Sequence, residues 1–256
     1  MELISLKFPL IKPKDDILKI LTNFIRRKKI RLKNSDIIVV ASKILALSEN
    51  RIVDLRKIKP SKKAKVLARK YSMGPAFCEM IIREADKIIG GVPKAILTLK
   101  DNILIANGGV DQSNAPRKFA ILWPKNSCAW ADRIKKYIKN KFKVNVGVIV
   151  RDSNCHPLRR GTFGVALSIT GFEGVQDARD KIDLYGRKIS ITQENVADNL
   201  ASSATIIMGE TKEKMPIVII KNAPIKLSNK SPRYLTKQLI MSQKECLFKD
   251  YNKSNK

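Results

Sequence analysis

Three acidic residues of this chain lie beside short apolar runs rather than on the polar face of a helix. Asp111 lies in a Gly-Gly loop directly after a predicted strand, Asp152 directly follows an apolar run, and Glu210 follows a helix-ending glycine. Carboxylates just beyond buried strands can converge in a cleft and form a hard-oxygen site for Mg²⁺ or Mn²⁺. The hydroxyl of Ser153, next to Asp152, is an acceptable further ligand. Two such cations would stabilise phosphoryl transfer by neutralising charge on phosphate oxygens.

Each acid also has a plainer interpretation as a turn or cap residue. Asp111 fits an Asx-type turn, and Asp152 fits a turn at the end of a strand. The pattern of residue types leaves both interpretations open at any single position. It favours a shared site only when the three acids are considered together.

Arginines in glycine-flanked turns supply matching positive charge. Arg159 and Arg160 precede Gly161, and Arg187 follows Gly186. A planar guanidinium in such a turn can bind phosphate or carboxylate through two hydrogen bonds, although loop arginines are more often simply exposed. No GxxxxGK[ST] or GxGxxG motif is present in the required setting, so any nucleotide is expected to be held in another way.

The neighbouring Cys155 and His156 suggest a nucleophile and its base, but this interpretation is disfavoured. Adjacent side chains in an extended stretch point apart and cannot form the required hydrogen bond. The four cysteines show no CxxC or Cys/His spacing, so neither a zinc site nor a disulfide framework is indicated. Such cysteines suit a reducing cytoplasm, and no leader peptide or membrane-spanning run is expected.

The net charge of +28 over 256 residues is the largest departure from average composition. Attraction to nucleic acid is its first interpretation. Against it, the lysines are spread along the chain and aromatic residues make up only 6%. A general lysine bias or an adaptation to salt is favoured, with anionic small ligands as the second explanation.

Hydrophobic periodicity and turn residues predict a mixture of helices and strands. Helices are predicted at 15–28, after the N-cap Ser61, after Gly74-Pro75 as far as Ile89, and at 127–143, 194–207 and 232–248. Strands are predicted at 36–41, 95–99, 103–106, 144–150, 189–192 and 217–220. The acids must therefore be positioned by strand ends from different parts of the chain.

Four ordered motifs give the chain a close resemblance to the coenzyme F420-0:L-glutamate ligase family, also called gamma-glutamyl ligase. They are ANGGVDQSN (106–114), RDSNCHPLRRGTFGVALSITG (151–171), DLYGR (183–187) and ADNLASSATIIMGE (197–210). PLIK (9–12) and VVASK (39–43) extend the resemblance over about 8–220. We therefore predict a family domain over 1–222, with an internal boundary that the sequence does not resolve, and a lysine-rich C-terminal helix and tail over 223–256.

The resemblance implies an α+β fold specific to the family, with two closely packed sub-domains and an intertwined homodimer whose interface groove holds the nucleotide. It implies a GTP-dependent ligase that joins L-glutamate to the carboxylate of the deazaflavin coenzyme F420-0 and is also able to add glutamate in gamma linkage. Two Mg²⁺ or Mn²⁺ sites are implied, and K⁺ is a further candidate cation. The expected partners are these small molecules and a second copy of the chain, with no membrane and no favoured nucleic acid.

The family's functional residues carry over onto matching positions. Asp111 and Asp152 match the acids that bind one metal, and Ser153 and Glu210 match positions that bind a second. The guanine-nucleotide contacts match a larger set: Pro9, Leu10, Ser42, Lys43, Asn114, Met208, Gly209, Glu210 and Thr211. Asp111 and Asp152 are also expected to be catalytic, and Arg159, Arg160 and Arg187 are candidates for holding anionic substrate groups during transfer of a phosphoryl group to the acceptor carboxylate.

The chain departs from the family pattern at several positions. Leu47 and Asn50 stand where Lys and Gly are usual, Lys7 and Asp180 replace glycines, and Lys221-Asn222 replaces Arg-Gly. The lost lysine is one that would contact phosphate. These departures keep two alternatives open: a sibling ligase on the same scaffold that uses a different acceptor, and, less favoured, a basic nucleic-acid-binding protein.

Overall fold

The structure is a computed structural model that describes residues 1–5 and 7–249. Within these residues it contains α1 Ile17–Arg27, α2 Ser42–Ser48, α3 Lys62–Lys70, α4 Pro75–Glu84, α5 Ser127–Phe142, α6 Val196–Met208 and α7 Pro232–Lys237. The strands are β1 Glu2–Ser5, β2 Ile37–Ala41, β3 Ile52–Asp54, β4 Lys87–Val92, β5 Ala95–Lys100, β6 Ile103–Ala106, β7 Phe119–Ile121, β8 Gly147–Asn154, β9 Phe163–Thr170, β10 Val175–Asp177, β11 Gln193–Asn195 and β12 Ile217–Lys221. This mixture confirms the predicted α+β class.

A five-stranded mixed sheet with the strand order β1-β12-β2-β8-β9 forms the centre of the larger part. Only β2 and β8 run parallel, and the other neighbours are antiparallel. The alternating side chains of β2 face two different cores, since Ile38 and Val40 pack with α1 and α5 while Ile37 and Val39 pack with α6. Both faces of the sheet are therefore covered by helices.

The smaller strands surround a separate hydrophobic core. β4, β5 and β6 form an antiparallel sheet, and β3 pairs with β7. Ala64 and Ala68 of α3 and Phe77 and Ile81 of α4 pack here against Ile96 of β5. The domain boundaries proposed from the sequence stay a prediction.

Side-chain caps at the helix starts explain why several sequence-predicted helices form where they do. Asp16 accepts hydrogen bonds from the backbone of Leu18 and Lys19 at the start of α1. Ser61 caps α3 as predicted, and Asn126 caps α5. Each cap satisfies a backbone N–H that has no partner within its helix.

One predicted strand has different bounds in the structure, and another does not form. The strand predicted at 144–150 begins at Gly147 and continues through Asp152 and Ser153 to Asn154, because pairing with β9 extends past a register shift at Val150 and Arg151. The strand predicted at 189–192 is absent, and residues 193–195 pair with β10 instead. Asp152 and Ser153 therefore lie within a strand, where the backbone ladder fixes their directions.

Two helix predictions were wrong at their C-terminal ends. The helix after Gly74-Pro75 ends at Glu84, and Ile88 and Ile89 lie in β4, where the backbone pairs with β5. The C-terminal helix predicted over 232–248 ends at Lys237, and turns follow. There the backbone N–H and hydroxyl of Ser242 bond to the Glu245 carboxylate, a local arrangement that competes with helix formation.

Across the part of the chain that the structure describes, no helix is long and apolar enough to span a bilayer.

Candidate active site

A cleft of about 420 Å³ opens at one edge of the central sheet, where β2 ends beside β8. These strands are parallel and Ala41 pairs with Arg151. The residues that follow Ala41 and those that follow Arg151 therefore lie at the same edge. Ser42 and Lys43 begin α2 there, and Asp152 and Ser153 come from β8. The sheet thus brings together residues that are more than 100 positions apart in sequence.

Twelve of the fifteen sequence-predicted site residues line this cleft. They are Pro9, Leu10, Ser42, Lys43, Asp111, Asn114, Asp152, Ser153, Met208, Gly209, Glu210 and Thr211. The other three, Arg159, Arg160 and Arg187, are exposed in loops and do not line it. The structure therefore gathers the proposed metal and nucleotide residues and leaves the proposed arginine clamps outside.

Lys43 and Asp111 form an ion pair across the cleft, with Lys43 Nζ 2.6 Å from Asp111 Oδ2. Lys43 also donates to the carbonyl oxygen and hydroxyl of Ser113. Burial raises the pKa of Asp111, but the Lys43 charge and hydrogen bonds from Lys43 and Ser113 outweigh it, so the pKa lies below its usual value. Asp111 is thus held ionised, as a cation ligand must be.

Both carboxylate oxygens of Asp152 accept hydrogen bonds from the protein. The indole Nε1–H of Trp123 donates to Oδ2, and the backbone N–H of Ser153 lies 2.9 Å from Oδ1. Burial raises the pKa of Asp152 above its usual value, while the Trp123 and Ser153 hydrogen bonds and the Arg151 charge oppose this. A nearby positive charge would favour the ionised form of this carboxyl.

A short hydrogen-bonded chain links Arg151, Ser153 and Glu210. Arg151 Nη1 donates to Ser153 Oγ at 2.8 Å, and Ser153 Oγ donates to Glu210 Oε1 at 2.7 Å. Arg151 is only 5% exposed, and burial lowers the pKa of its guanidinium against the opposing charges of Asp152 and Glu210. A buried arginine among acids places fixed positive charge in the cleft wall.

The oxygen donors of this cleft fit a hard divalent cation in their chemistry. Asp111, Asp152 and Glu210 offer carboxylates and Ser153 a hydroxyl, the ligands that Mg²⁺ and Mn²⁺ accept. Over residues 1–5 and 7–249, no three His, Cys, Asp or Glu side chains are grouped as a ready-made cation site. A cation here would therefore need ligands from water or from a bound phosphate, which is usual for Mg²⁺.

Three departures from the family pattern preserve backbone conformation. Asn50, Asp180 and Asn222 stand where the resemblance has glycine, and their φ angles are +57°, +63° and +53°. Asn and Asp tolerate this left-handed region better than other residues with a side chain. These substitutions therefore keep the turns that glycine would make.

The remaining departures, Leu47, Lys221 and Lys7, lie in three different environments. Leu47 lines the cleft, so an apolar wall stands where the resemblance has a lysine. Lys221 is structural, because its Nζ lies 2.6 Å from the buried Asp36 carboxylate and bonds the Arg31 carbonyl. Lys7 is exposed and does not line the cleft.

Two residues that shape this site, Arg151 and Trp123, were not predicted from the sequence. Arg151 carries a sequence signal, since an arginine at the end of the apolar run GVIV is unusual for a buried strand. Trp123 carries none, because an indole beside other apolar residues looks like an ordinary core residue. Cys155 and His156 are exposed, and His156 Nδ1 lies 2.9 Å from the Pro157 carbonyl oxygen rather than near the thiol of Cys155.

Comparisons with known proteins agree with the motif resemblance. A family model described as F420-0:Gamma-glutamyl ligase matches residues 5–222. The chain is 36% identical over 250 residues to the coenzyme F420:L-glutamate ligase of Methanococcus maripaludis strain C7, covering 97% of each chain. It is 35% identical to the enzyme of the same name from Methanocaldococcus jannaschii, covering 98% of this chain and 97% of that one. The relative from Methanopyrus kandleri is 31% identical over 93% of each chain. The chain belongs to the F420-0:gamma-glutamyl ligase family.

Proposed function

We propose that this protein is a ligase of coenzyme F420 biosynthesis that joins L-glutamate to F420-0, with GTP as the energy source and divalent cations as cofactors. The observation that carries the proposal is the convergence of twelve predicted site residues on one cleft. Family membership over nearly the whole chain supports the same reaction class. The three candidate substrates, F420-0, GTP and L-glutamate, are all anionic, so the basic residues of the cleft would attract them.

The proposed reaction has two balanced steps. A carboxylate oxygen of F420-0 attacks the γ-phosphorus of GTP, so a new P–O bond forms and the bond to the β-phosphate oxygen breaks, releasing GDP. The amine of L-glutamate then attacks the acyl carbon, a C–N bond forms, and the C–O bond to phosphate breaks. Inorganic phosphate leaves and the amine loses one proton, giving the amide.

The cleft residues have distinct roles in this proposal. Asp111, Asp152, Ser153 and Glu210 would hold the divalent cations, which when bound supply positive charge against the triphosphate. Pro9, Leu10, Ser42, Asn114 and the loop that begins at Met208 would contact the nucleotide. Lys43 links the proposed metal residues to the proposed nucleotide contacts, since it donates a hydrogen bond to Asp111 and lines the cleft.

The test is incubation of the purified protein with F420-0, GTP, L-glutamate and Mg²⁺ or Mn²⁺. We expect a product heavier by one glutamyl residue, together with GDP and phosphate in equal amounts. Asp152→Asn should lose turnover while its circular dichroism stays unchanged. The matched control is Asp132→Asn, which removes the same charge from α5, where Asp132 forms an ion pair with Lys136.

Besides the absence of a glutamylated product, two outcomes would refute the proposal. One is full activity of Asp152→Asn. The other is absence of metal-dependent GDP binding together with tight, salt-sensitive binding to RNA, which would favour a nucleic-acid-binding protein.

A sibling ligase with another acceptor is the second candidate, and Leu47 is the observation that favours it. This apolar side chain in the cleft wall removes a cation where the resemblance predicts a phosphate contact. Competition between F420-0 and other carboxylate acceptors in the same assay separates the candidates. Leu47→Lys should then lower the GTP concentration needed for half-maximal rate.

We also propose that the protein acts as a homodimer. The arm formed by residues 178–192, between β10 and β11, carries apolar side chains with little protein contact. They are Ile182, Leu184, Tyr185 and Ile191, which are 59%, 100%, 89% and 85% exposed. Apolar side chains grouped on a protruding arm suit burial against a second copy of the chain.

A further inference from the structure

Trp123 is a buried residue that contacts the candidate metal site through Asp152. It is 4% exposed and follows β7, and its indole N–H donates to Oδ2 of Asp152. An indole has one donor and no acceptor, so this contact is available only to an acceptor such as a carboxylate. The other oxygen of Asp152 is held by the Ser153 backbone N–H. The two donors together fix the plane of the carboxylate.

Three charged side chains hold Trp123 in place. Arg51 Nε donates to the Trp123 carbonyl oxygen, and Lys100 Nζ lies 5.2 Å from the centre of the indole ring. Glu84 joins these two, since its carboxylate accepts from Arg51 Nη2 at 3.0 Å and from Lys100 Nζ at 2.6 Å. The side chains of Arg51, Glu84 and Lys100 are 19%, 16% and 11% exposed. This cluster leaves the indole little freedom to move.

Gly109 packs directly against the indole ring of Trp123. A Cβ at this position would lie 2.4 Å from Trp123 ring atoms, and the residue has φ +70°. Both facts favour glycine here, because a side chain would be strained and would displace the ring. Gly109 precedes Asp111 by two residues, so the indole lies between the loop that carries Asp111 and the strand that carries Asp152.

We infer that Trp123 is a positioning residue that holds the Asp152 carboxylate in its cation-binding orientation and sets its spacing from Asp111. The inference rests on the proposed function, in which both acids bind divalent cations. Partners that hydrogen-bond to a metal ligand orient it, and their loss typically costs about 10- to 100-fold in metal affinity or activity. The contribution of Arg51, Glu84 and Lys100 is indirect, because these residues fix the indole rather than Asp152 itself.

The experiment compares two conservative variants of the only two tryptophans in the chain. Trp123→Phe keeps an aromatic ring and removes the N–H that bonds Asp152. Trp130→Phe is the matched control, because its N–H donates to Glu49 at 2.7 Å and the residue does not line the cleft. Mn²⁺ affinity is measured by calorimetry, and kcat and KM by the ligase assay.

We expect Trp123→Phe to bind Mn²⁺ about 10- to 100-fold more weakly or to lose kcat by that factor. The KM for L-glutamate should be unchanged, and Trp130→Phe should behave like the wild type. Fluorescence gives a readout that does not depend on turnover. In Trp130→Phe the remaining indole is Trp123, so Mn²⁺ should quench its emission, whereas Trp130 in Trp123→Phe should be little affected.

The outcomes separate this inference from the proposed function. A folded Trp123→Phe with wild-type Mn²⁺ affinity and kcat overturns the positioning role, as does unquenched Trp123 emission at saturating Mn²⁺. If the wild type makes no glutamylated product but Mn²⁺ binding still depends on Trp123, the proposed reaction fails and the positioning role stands. If the wild type is active and binds no divalent cation, both the metal part of the proposal and this inference fail.

Discussion

Gly164 of β9 packs tightly against α6, and a single methyl group there should disturb the candidate site from a distance. A Cβ at Gly164 would lie 2.4 Å from both the carbonyl oxygen of Ala201 and Oγ1 of Thr205. The first atom is helix backbone, and the second is held by a 2.8 Å hydrogen bond to the Ala201 carbonyl. Neither can move without moving α6.

The size of the effect follows from these distances. Ordinary contact begins at about 3.4 Å, so Gly164→Ala must push α6 away from the sheet by about 1 Å. Overpacking of this kind costs about 1–3 kcal/mol. For a chain of this size each kcal/mol lowers Tm by about 2–4 °C, which gives a fall of about 2–12 °C.

The same displacement reaches the cleft, because α6 ends at Met208 and Glu210 follows its C-cap residue Gly209. The 2.7 Å bond between Ser153 Oγ and Glu210 Oε1 would be stretched or broken. A misplacement of about 1 Å at a catalytic constellation can cost about 100-fold in rate. We therefore expect kcat/KM of Gly164→Ala to fall by about that factor while the protein remains folded.

Calorimetry and the ligase assay measure the two effects on the same sample. Gly90→Ala is the control, because a Cβ there meets no atom within 4 Å and the φ angle is not positive. Wild-type Tm and activity in Gly164→Ala would show that the contact between α6 and β9 does not position Glu210. A large loss in Gly90→Ala would show that the method does not distinguish close from open sites.

Two further predictions concern other parts of the chain. Hydrogen bonds from Ser61 and then Arg83 lower the pKa of Glu79 from 4.5 to about 2, so the stability that Glu79 provides is complete above pH 4.5 and is lost as pH falls towards 2. Glu79→Gln should therefore flatten the fall in Tm between pH 4.5 and 2, and a curve parallel to that of the wild type would contradict this. Leu184→Asp should convert a dimer to a monomer in sedimentation experiments, because Leu184 is fully exposed on the arm, whereas Val66→Asp on the surface of α3 should leave the dimer intact. A wild type that sediments as a monomer would contradict the proposed dimer.

Local sequence signals predicted the elements whose ends are set by their own side chains. α1, α3 and α5 begin at capping residues that can be recognised in the sequence, and the turn between β5 and β6 contains Asp101 and Asn102 at positive φ. Errors occurred where pairing with a neighbouring strand, rather than the segment's own side chains, decides the structure. β4 is a strand because β5 pairs with it, and β8 extends past Val150 because β9 continues beside it.

In the candidate site, too, some features could be predicted from the sequence and others depend on the folded structure. The positions of the acids and the wording of the motifs predict twelve residues that line the cleft, and the parallel pairing of β2 with β8 explains why they meet. The contacts that give these residues their electrostatic character were not predictable. The Lys43–Asp111 ion pair and the Trp123–Asp152 bond each join side chains from separate elements.

The central claim is that this cleft activates a carboxylate by phosphoryl transfer before glutamate is added. F420-0 labelled with ¹⁸O in both oxygens of that carboxylate tests it most directly, with mass analysis of the released phosphate and of the amide. We expect one ¹⁸O in the phosphate and one in the amide product for each turnover, and no labelled phosphate with Asp152→Asn. Glutamylated product accompanied by unlabelled phosphate would contradict the claim.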